Sequence, residues 1–174
     1  MDKSKSFRNS LWWTAATVAV DRVVKIAAFR LPEEGILLIP GVLRLRYAEN
    51  RGMAFSLLSG YPRLLGGMSL CAIAGMIWLM RKRKMSAWPR FALSLMLGGA
   101  IGNAIDRLAL GFVPDLIETL FVRFAIFNVA DAALTVGCAM MLCSLLFRPG
   151  DWADKGRTGK EDGKPDGRRQ ETER

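Results

Sequence analysis

Four long apolar segments alternate with polar stretches along the first 147 residues. Each segment approaches the roughly 20 residues that an α-helix needs to cross a bilayer. We therefore predict an all-α integral membrane protein with four transmembrane helices, at about 11–29, 64–80, 89–108 and 124–147. The charged start of the chain followed by an apolar run also fits a cleaved signal peptide. Because helical apolar sequence continues beyond Asp21 without a convincing cleavage site, we favour a retained first helix.

The connection at residues 30–63 has a different pattern. Arg44 and Arg46 alternate with large apolar residues, which is the period of a β-strand, and turn signals stand at Pro40–Gly41 and Asn50–Gly52. We predict a small antiparallel sheet in this loop, outside the bilayer core. The last 24 residues are almost wholly polar. The chain thus divides into a membrane domain at 1–147 and a disordered polar tail at 148–174.

Basic residues set the predicted orientation. Four spans place both termini on one side, which also holds the densest basic cluster, at 81–84. The positive-inside rule makes that side cytoplasmic, although the first outer loop carries several arginines as well. The net charge of +9 could suggest nucleic acid, but the basic residues punctuate apolar runs and form no continuous stripe. We predict membrane lipids as partners and no nucleic acid.

Polar residues within the apolar sequence are the candidates for function, since ionisable groups at membrane depth are energetically costly. Between residues 98 and 131 they are Asn103, Asp106, Asp115, Asn128 and Asp131. Under the predicted topology these acids share one level near the outer face, with Asp131 about seven residues, roughly 10 Å, into the fourth helix. Each asparagine lies three residues before an aspartate, so we expect it to orient that carboxylate.

Two neighbouring charges complete this group. Asp21 lies at the same predicted depth in the first helix, one turn before Lys25, and a purely structural ion pair is a strong interpretation there. Arg107 follows Asp106 directly, and we expect the two to be charge partners.

The absence of histidine narrows the chemistry. It excludes Ser-His-Asp and Cys-His catalysis and zinc sites with a histidine ligand. The three cysteines all lie in apolar runs, so we expect neither disulfides nor a metal site. Two carboxylates in a low-dielectric site share one proton, and such a pair can hydrolyse peptides: the ionised member activates water, and the protonated member polarises the carbonyl.

Two alternatives have different consequences. A proton-conducting or transport protein would need acids staggered through the bilayer, whereas the inner halves of these predicted helices carry none. A membrane assembly protein could use Asp and Asn only to join helices by hydrogen bonds. That protein would tolerate Asp115→Asn, whereas a peptidase would not.

Five blocks of sequence resemble the lipoprotein signal peptidase (signal peptidase II) family. They are VDRVVK at 20–25, NRGMAFSLL at 50–58, GGAIGNAIDR at 98–107, VPD at 113–115 and FNVAD at 127–131. The resemblance implies a four-helix aspartyl endopeptidase of the bacterial inner membrane, without a cofactor. Such an enzyme cuts diacylglyceryl-modified prolipoproteins before the lipidated cysteine, near the extracytoplasmic face. We also expect a monomer whose aspartate site binds cyclic peptide inhibitors of the globomycin type.

The resemblance assigns roles by position. The catalytic pair falls on Asp115 and Asp131, and the supporting residues are Asp21, Asn50, Gly52, Asn103, Asp106, Arg107 and Asn128. One departure concerns the middle block, in which Pro114 precedes the aspartate and Leu116 stands where the family commonly has an aromatic residue. Met53 and Phe55 could face acyl chains or pack the sheet onto the helices.

Overall fold

A computed structural model describes residues 3–52 and 60–152, in which four α-helices run alternately up and down. They are α1 (Lys3–Ala28), α2 (Pro62–Lys82), α3 (Ala87–Ala109) and α4 (Val129–Phe147). Within this part of the chain, α2 and α4 are long and apolar enough to cross a membrane. The other two helices carry buried ionisable residues, such as Asp21 and Asp106, within their length. The four predicted helices are therefore present.

The start of α4 differs from the prediction. The apolar run begins at Phe124, but the helix begins only at Val129, because Phe127 pairs with Ile117 in an isolated antiparallel bridge. Asn128 is the N-cap, and Asp131 is the third helical residue. The prediction that Asp131 lies seven residues inside the helix is therefore wrong, as is the placement of Asn128 on it. A continuous apolar run does not show where extended backbone gives way to helix.

Three antiparallel strands form one small sheet. They are β1 (Ile36–Ile39), β2 (Leu43–Asn50) and β3 (Val113–Thr119), in the order β1-β2-β3. The first two are the predicted sheet of the first loop. The third comes from the connection between α3 and α4, where no strand was predicted. Pro114 obscured it, since proline disfavours strands, yet it fits here because β3 is an edge strand.

The bundle is organised around α3, which packs against α1, α2 and α4. Glycines of α3 permit these approaches. A Cβ atom at Gly102 would stand 2.6 Å from Asp21 Oδ2, and one at Gly99 would collide with the Ala130 carbonyl oxygen. Only a residue without a side chain allows α3 to lie this close to α1 and α4. The contacts place the sheet-side end of α3 beside Asp21 and the start of α4.

The opposite end of the bundle is closed by a short 3-10 helix, Pro149–Trp152. Asp151 is buried there against the α2–α3 connection and the end of α4. The first residues of the segment predicted as a disordered tail are thus folded onto the bundle. Residues 153–174 lie outside the described part of the chain, and the prediction about them stays a prediction.

Candidate active site

Strand β3 presents Asp115 to the end of the helix bundle. Its register pairs Ala48 with Asp115, which places the carboxylate beside the end of β2. There Asn50 Nδ2 donates a hydrogen bond to Asp115 Oδ2 at 3.0 Å, while Asn50 Oδ1 accepts one from the Gly52 amide at 3.0 Å. Asn128 Nδ2 donates to Asp115 Oδ1 at 2.6 Å. The carboxyl group is 2% exposed and accepts bonds from two neutral amides.

Asp131 is held by the N-terminus of α4. Asn128 and Asp131 form a capping box, in which Asn128 Oδ1 accepts from the Asp131 amide at 2.9 Å and Asp131 Oδ2 accepts from the Asn128 amide at 3.3 Å. Asn103 of α3 reaches across and donates from Nδ2 to Asp131 Oδ1 at 2.7 Å. A helix N-terminus also favours a negative charge. The local sequence N-V-A-D therefore both starts the helix and orients a carboxylate.

Asn128 is the link between the two carboxylates. Its Nδ2 group, which donates to Asp115, also lies 3.3 Å from Asn103 Oδ1, and its Oδ1 caps the helix beside Asp131. The prediction that each asparagine orients the aspartate three residues later holds for Asn128 only through its backbone amide, since its side-chain amide donates to Asp115. The prediction is wrong for Asn103 and Asp106, because the Asn103 amide group points across to α4 and bonds Asp131.

The protonation of Asp115 follows from this setting. Burial above all, and after it the negative charge of Asp131, raise the pKa of Asp115 from 3.8 to about 6. Hydrogen bonds from Asn128 and Asn50 and the charge of Lys25 act in the opposite direction. Because the two carboxylates interact, the pair titrates as a unit. A carboxyl group with this pKa is available in both protonation states near neutral pH.

A layer of charge lies directly behind this pair. Lys25 contacts Asp21 Oδ2 at 2.9 Å, as the one-turn spacing predicted, and Asp106 Oδ2 at 2.8 Å. Asp21 Oδ1 accepts from the backbone amide of Ala130 at 3.0 Å and so ties α1 to α4. Within the described residues the ion pairs of Asp106 go to α1. The prediction that Arg107 is its partner is therefore wrong.

Two arginines, Arg107 and Arg22, contact different parts of the site. Arg107 Nη2 donates to the carbonyl oxygen of Gly52 at 3.3 Å, so it holds the backbone just beyond β2. Two guanidinium nitrogens of Arg22 donate hydrogen bonds to the Asp106 carboxylate, at 2.5 and 2.8 Å. Arg22 was not among the predicted site residues, although an arginine inside an apolar helix was a signal that could have found it.

All nine predicted site residues therefore come together, in two layers. The front layer contains the carboxylate pair, Asp115 and Asp131, and the five residues around it, namely Asn50, Gly52, Asn103, Arg107 and Asn128. Asp21 and Asp106 form the layer behind with Arg22 and Lys25. Four carboxylates face three cations, so one bound proton makes the cluster neutral. Met53 and Phe55 lie outside the described residues. In the part of the chain that is described, no group of three or more His, Cys, Asp or Glu side chains could hold a metal ion.

Comparison with known proteins agrees with this arrangement. The family model described as signal peptidase (SPase) II matches residues 13–147. A lipoprotein signal peptidase of Nostoc sp. is 37% identical over 149 residues, which are 82% of this chain and 94% of that protein. One from Streptococcus pneumoniae is 42% identical over 109 residues, or 62% of this chain and 71% of that protein.

Solved structures show the same fold. A bacterial membrane enzyme determined by the in meso method at 2.3 Å resolution superimposes with a TM-score of 0.74 at 28% identity, covering 90% of this chain and 94% of that one. A second, at 1.9 Å resolution, gives 0.73 at 30% identity, covering 80% and 93%. A membrane peptidase is the class that the fold and these matches define. The chain belongs to the signal peptidase II family.

Proposed function

We propose that this protein is an aspartyl endopeptidase that removes the signal peptide from diacylglyceryl-modified prolipoproteins, cutting on the N-terminal side of the lipidated cysteine. Asp115 and Asp131 are its catalytic pair. The observation that carries the proposal is that one residue, Asn128, bonds both carboxylates: its side-chain amide donates to Asp115 of β3, and its backbone amide donates to Asp131 of α4. Family membership supports the substrate class, and the absence of histidine leaves the carboxylates as the acid–base groups.

The mechanism uses one proton on the pair. The ionised aspartate takes a proton from water, and the water oxygen attacks the scissile carbonyl carbon. The protonated aspartate donates its proton to the carbonyl oxygen, which yields a tetrahedral diol. Collapse of the diol breaks the C–N bond, a proton moves to the leaving amine, and the pair again holds one proton.

We assign the shared proton to Asp115 and the ionised form to Asp131. Burial raises the pKa of Asp115 to about 6, and its hydrogen-bond donors are neutral amides. Asp131 receives the Asn128 backbone amide at the start of α4, where the helix dipole favours a negative charge. The assignment describes the dominant arrangement of a coupled pair.

The proposal places all four helices across the bacterial inner membrane, with both termini cytoplasmic. Large apolar side chains are exposed on α2 and α4, for example Leu70 and Leu145, as contact with lipid requires. Three ionisable residues near the sheet-side ends of α1 and α3, Asp21, Lys25 and Asp106, are at least 98% buried and so turn away from lipid. The sheet and the carboxylate pair then lie at the extracytoplasmic face, opposite the basic cluster at 81–84.

The substrate would approach from the sheet side. Arg107 holds the carbonyl oxygen of Gly52, and the Gly52 amide donates to Asn50. Through Asn50, the backbone at Gly52 lies close to Asp115. Apolar side chains of β1 and of the segment after β3 are exposed nearby, among them Leu37, Phe121 and Phe124. They suit contact with membrane lipid and with the acyl chains of a substrate. The active unit is a monomer, and cyclic peptide inhibitors of the globomycin type would bind at the carboxylate pair.

Cleavage of a diacylglyceryl-modified prolipoprotein by the purified protein in detergent tests this function. We expect the wild type to cut the lipidated precursor and to leave the non-lipidated precursor essentially uncut. Asp115→Asn and Asp131→Asn should each lose cleavage while remaining folded in a thermal scan. If either variant keeps substantial activity, its catalytic role is refuted, and Asp106 becomes the next candidate. If the wild type fails on a verified lipidated substrate, the proposed activity is wrong.

Membrane orientation needs a separate measurement. Single cysteines would be placed at Leu38 in β1 and at Arg83 beyond α2, in a chain whose three native cysteines are replaced. In intact cells a membrane-impermeant thiol reagent should label the first position and spare the second. The reverse pattern would overturn the proposed orientation without affecting the catalytic assignment.

A further inference from the structure

Lys25 is the most deeply buried cation of the site, at 2% exposure. Its ammonium group has three N–H donors and three acceptors. Two are carboxylates, Asp21 Oδ2 at 2.9 Å and Asp106 Oδ2 at 2.8 Å. The third is the amide oxygen of Asn103, at 2.9 Å. Every hydrogen of the ammonium group is therefore used, and one of them is directed to the residue that bonds Asp131.

This third bond decides which way the Asn103 amide faces. An ammonium group can only donate, so it holds Asn103 Oδ1 on its own side, where Asn128 Nδ2 approaches the same oxygen at 3.3 Å. The Nδ2 group must then point to Asp131, to which it donates at 2.7 Å. The reversed amide would set an N–H group against the ammonium and an oxygen against the carboxylate. Lys25 thereby fixes the donor that orients Asp131.

Arg22 balances the carboxylates that Lys25 contacts. Its guanidinium bonds both oxygens of Asp106, together with Asp21 Oδ2 at 2.9 Å and the Gly102 carbonyl oxygen at 3.1 Å. Two cations thus face two carboxylates in this layer. Without Arg22, Lys25 would be the single counterion of two buried negative charges, which is a costly arrangement.

We propose that Lys25 is a positioning residue of the peptidase, acting on Asp131 through Asn103, and that Arg22 supports it by neutralising the second carboxylate behind the pair. The inference rests on the proposed function and extends it to two residues of α1. Neither residue reaches the reacting atoms. Their effect is on the orientation of one amide and on the charge that the catalytic pair experiences.

Among the described residues, several charged groups face the catalytic carboxylates and set their ionisation together. These are Asp21, Arg22 and Lys25 from α1 and Asp106 and Arg107 from α3, and the two catalytic carboxylates from β3 and α4 also face each other. The positive charge of Lys25 already lowers the pKa of Asp115. Removing a cation from α1 therefore moves both ionisations of the pair, and with them the whole pH–rate profile, to higher pH.

The experiment compares the full-length wild type with Lys25→Met, Arg22→Gln and Arg22→Lys, using kcat/KM on the lipidated precursor across pH. Arg8→Gln is the matched control, since it removes one positive charge from the same helix, about 21 Å from Arg22 along the helix axis. We expect Lys25→Met to lose about 100-fold or more and Arg22→Gln about tenfold, with profiles shifted by about 0.5–1 pH unit. Arg22→Lys should restore the profile, and Arg8→Gln should match the wild type.

A double-mutant cycle tests the route through Asn103. Asn103→Ala should cost much less activity in the Lys25→Met background than in the wild type. The reason is that, without Lys25, the Asn103 amide is no longer held in the orientation that bonds Asp131. Additive losses would overturn the route. If Lys25→Met does not fold, Arg22→Gln, whose side chain is 28% exposed, serves as the background for the same cycle.

Carboxyl titration without substrate separates this inference from the proposed function. Infrared difference spectra of the wild type, Asp115→Asn and Asp131→Asn assign the carboxyl bands of the pair, and Arg22→Gln should move their midpoints upward. Unmoved midpoints and an unmoved pH–rate profile, with only a lower Tm, would overturn the inference. Moved midpoints in a protein that cannot cleave the lipidated precursor would support the positioning role and refute the peptidase.

Discussion

Two buried polar clusters lie at opposite ends of α4, and each contains a buried aspartate. Asp115 is at the sheet end beside the start of the helix, and Asp151 is at the other end beside Ser144. From Asp131 to Ser144 is 13 residues, or about 20 Å of helix. The exposed fractions of the two aspartates are 2% and 7%. Both side chains are shielded from solvent, yet the pKa of Asp115 is raised and the pKa of Asp151 is lowered.

The partners explain the difference. Asp151 accepts from Ser86 Oγ at 2.6 Å, Ser144 Oγ at 2.8 Å and Arg148 Nε at 3.1 Å. The Ser86 bond is the largest influence and, with the others, lowers the pKa of Asp151 more than burial raises it. Asp115 has two amides and a neighbouring carboxylate, and its pKa rises to about 6.

The comparison separates a structural carboxylate from a reactive one. At Asp151 each oxygen has a strong donor and the nearest charge is positive, so ionisation stabilises the fold. At Asp115, burial and the negative charge of Asp131 oppose ionisation. The folded protein therefore binds a proton at this carboxyl group more tightly than the unfolded chain does. Such opposition is what general acid–base chemistry requires, because it brings the pKa towards the working pH.

The largest expected contrast is in cleavage. Asp115→Asn should reduce kcat/KM on the lipidated precursor by at least about 10³-fold, since the pair then cannot exchange its proton. Asp151→Asn should stay within about threefold of the wild type, because Asp151 lies about 20 Å from the chemistry. Initial rates of both variants at equal folded concentration provide the measurement. A large loss for Asp151→Asn would mean that the two ends are coupled.

A smaller but clear contrast concerns Asn128. Asn128→Ala removes the helix cap and a donor to Asp115, and should destabilise the protein by about 0.5–2 kcal/mol. It also removes an interaction that lowers the pKa of Asp115, so the pH–rate profile should move upward. Asn128→Ser is the matched control, because serine still caps the helix but offers no amide to Asp115. We expect it to restore the Tm and to keep the shifted profile; a normal profile would show that the amide bond does not matter.

The stability of the two aspartate variants should depend on pH with opposite signs. The folded-state pKa of Asp115, about 6, lies above its ordinary value of 3.8. The stability that Asp115 contributes is therefore complete below pH 3.8 and is lost as the pH rises through about 6. Asp115→Asn should therefore be about 1–3 kcal/mol more stable than the wild type at pH 8, and the gap should close near pH 4. Unfolding in detergent across this range measures it, and a constant gap would contradict the raised pKa.

The smallest expected effect is at the other end. The pKa of Asp151 is lowered by folding. The stability that ionised Asp151 contributes is therefore present above pH 3.8 and is lost as the pH falls below that value. Asp151→Asn and Ser86→Ala should each lower the Tm by a few degrees at pH 7. The two losses should overlap, because the first removes the charge that strengthens the Ser86–Asp151 bond and the second removes the bond itself. Thermal scans of both and of the double variant measure this. Fully additive losses would show that the bond contributes little.

The helices, two of the strands and the composition of the site could be predicted from patterns along the chain. Apolar segments of spanning length, the alternation around Arg44 and the glycines of α3 depend on local spacing, and local spacing is readable in a chain. The nine site residues were also predictable, because polar groups in apolar sequence stand out and because five blocks resemble one family. The one-turn pair of Asp21 and Lys25 belongs to the same class of local signal.

Which groups touch depends on how remote segments of the chain pack. Asp115 became a strand residue because β3 pairs with β2, a partner about 65 positions earlier in the chain. Asn103 turned away from its near neighbour Asp106 to bond Asp131, and Asp106 took its cations from α1. Spacing of three residues places two groups on one helix face, but the facing helix decides which of them bond. Hydrogen bonds and ion pairs act over about 3 Å, and distances that short between remote segments exist only after the chain has packed.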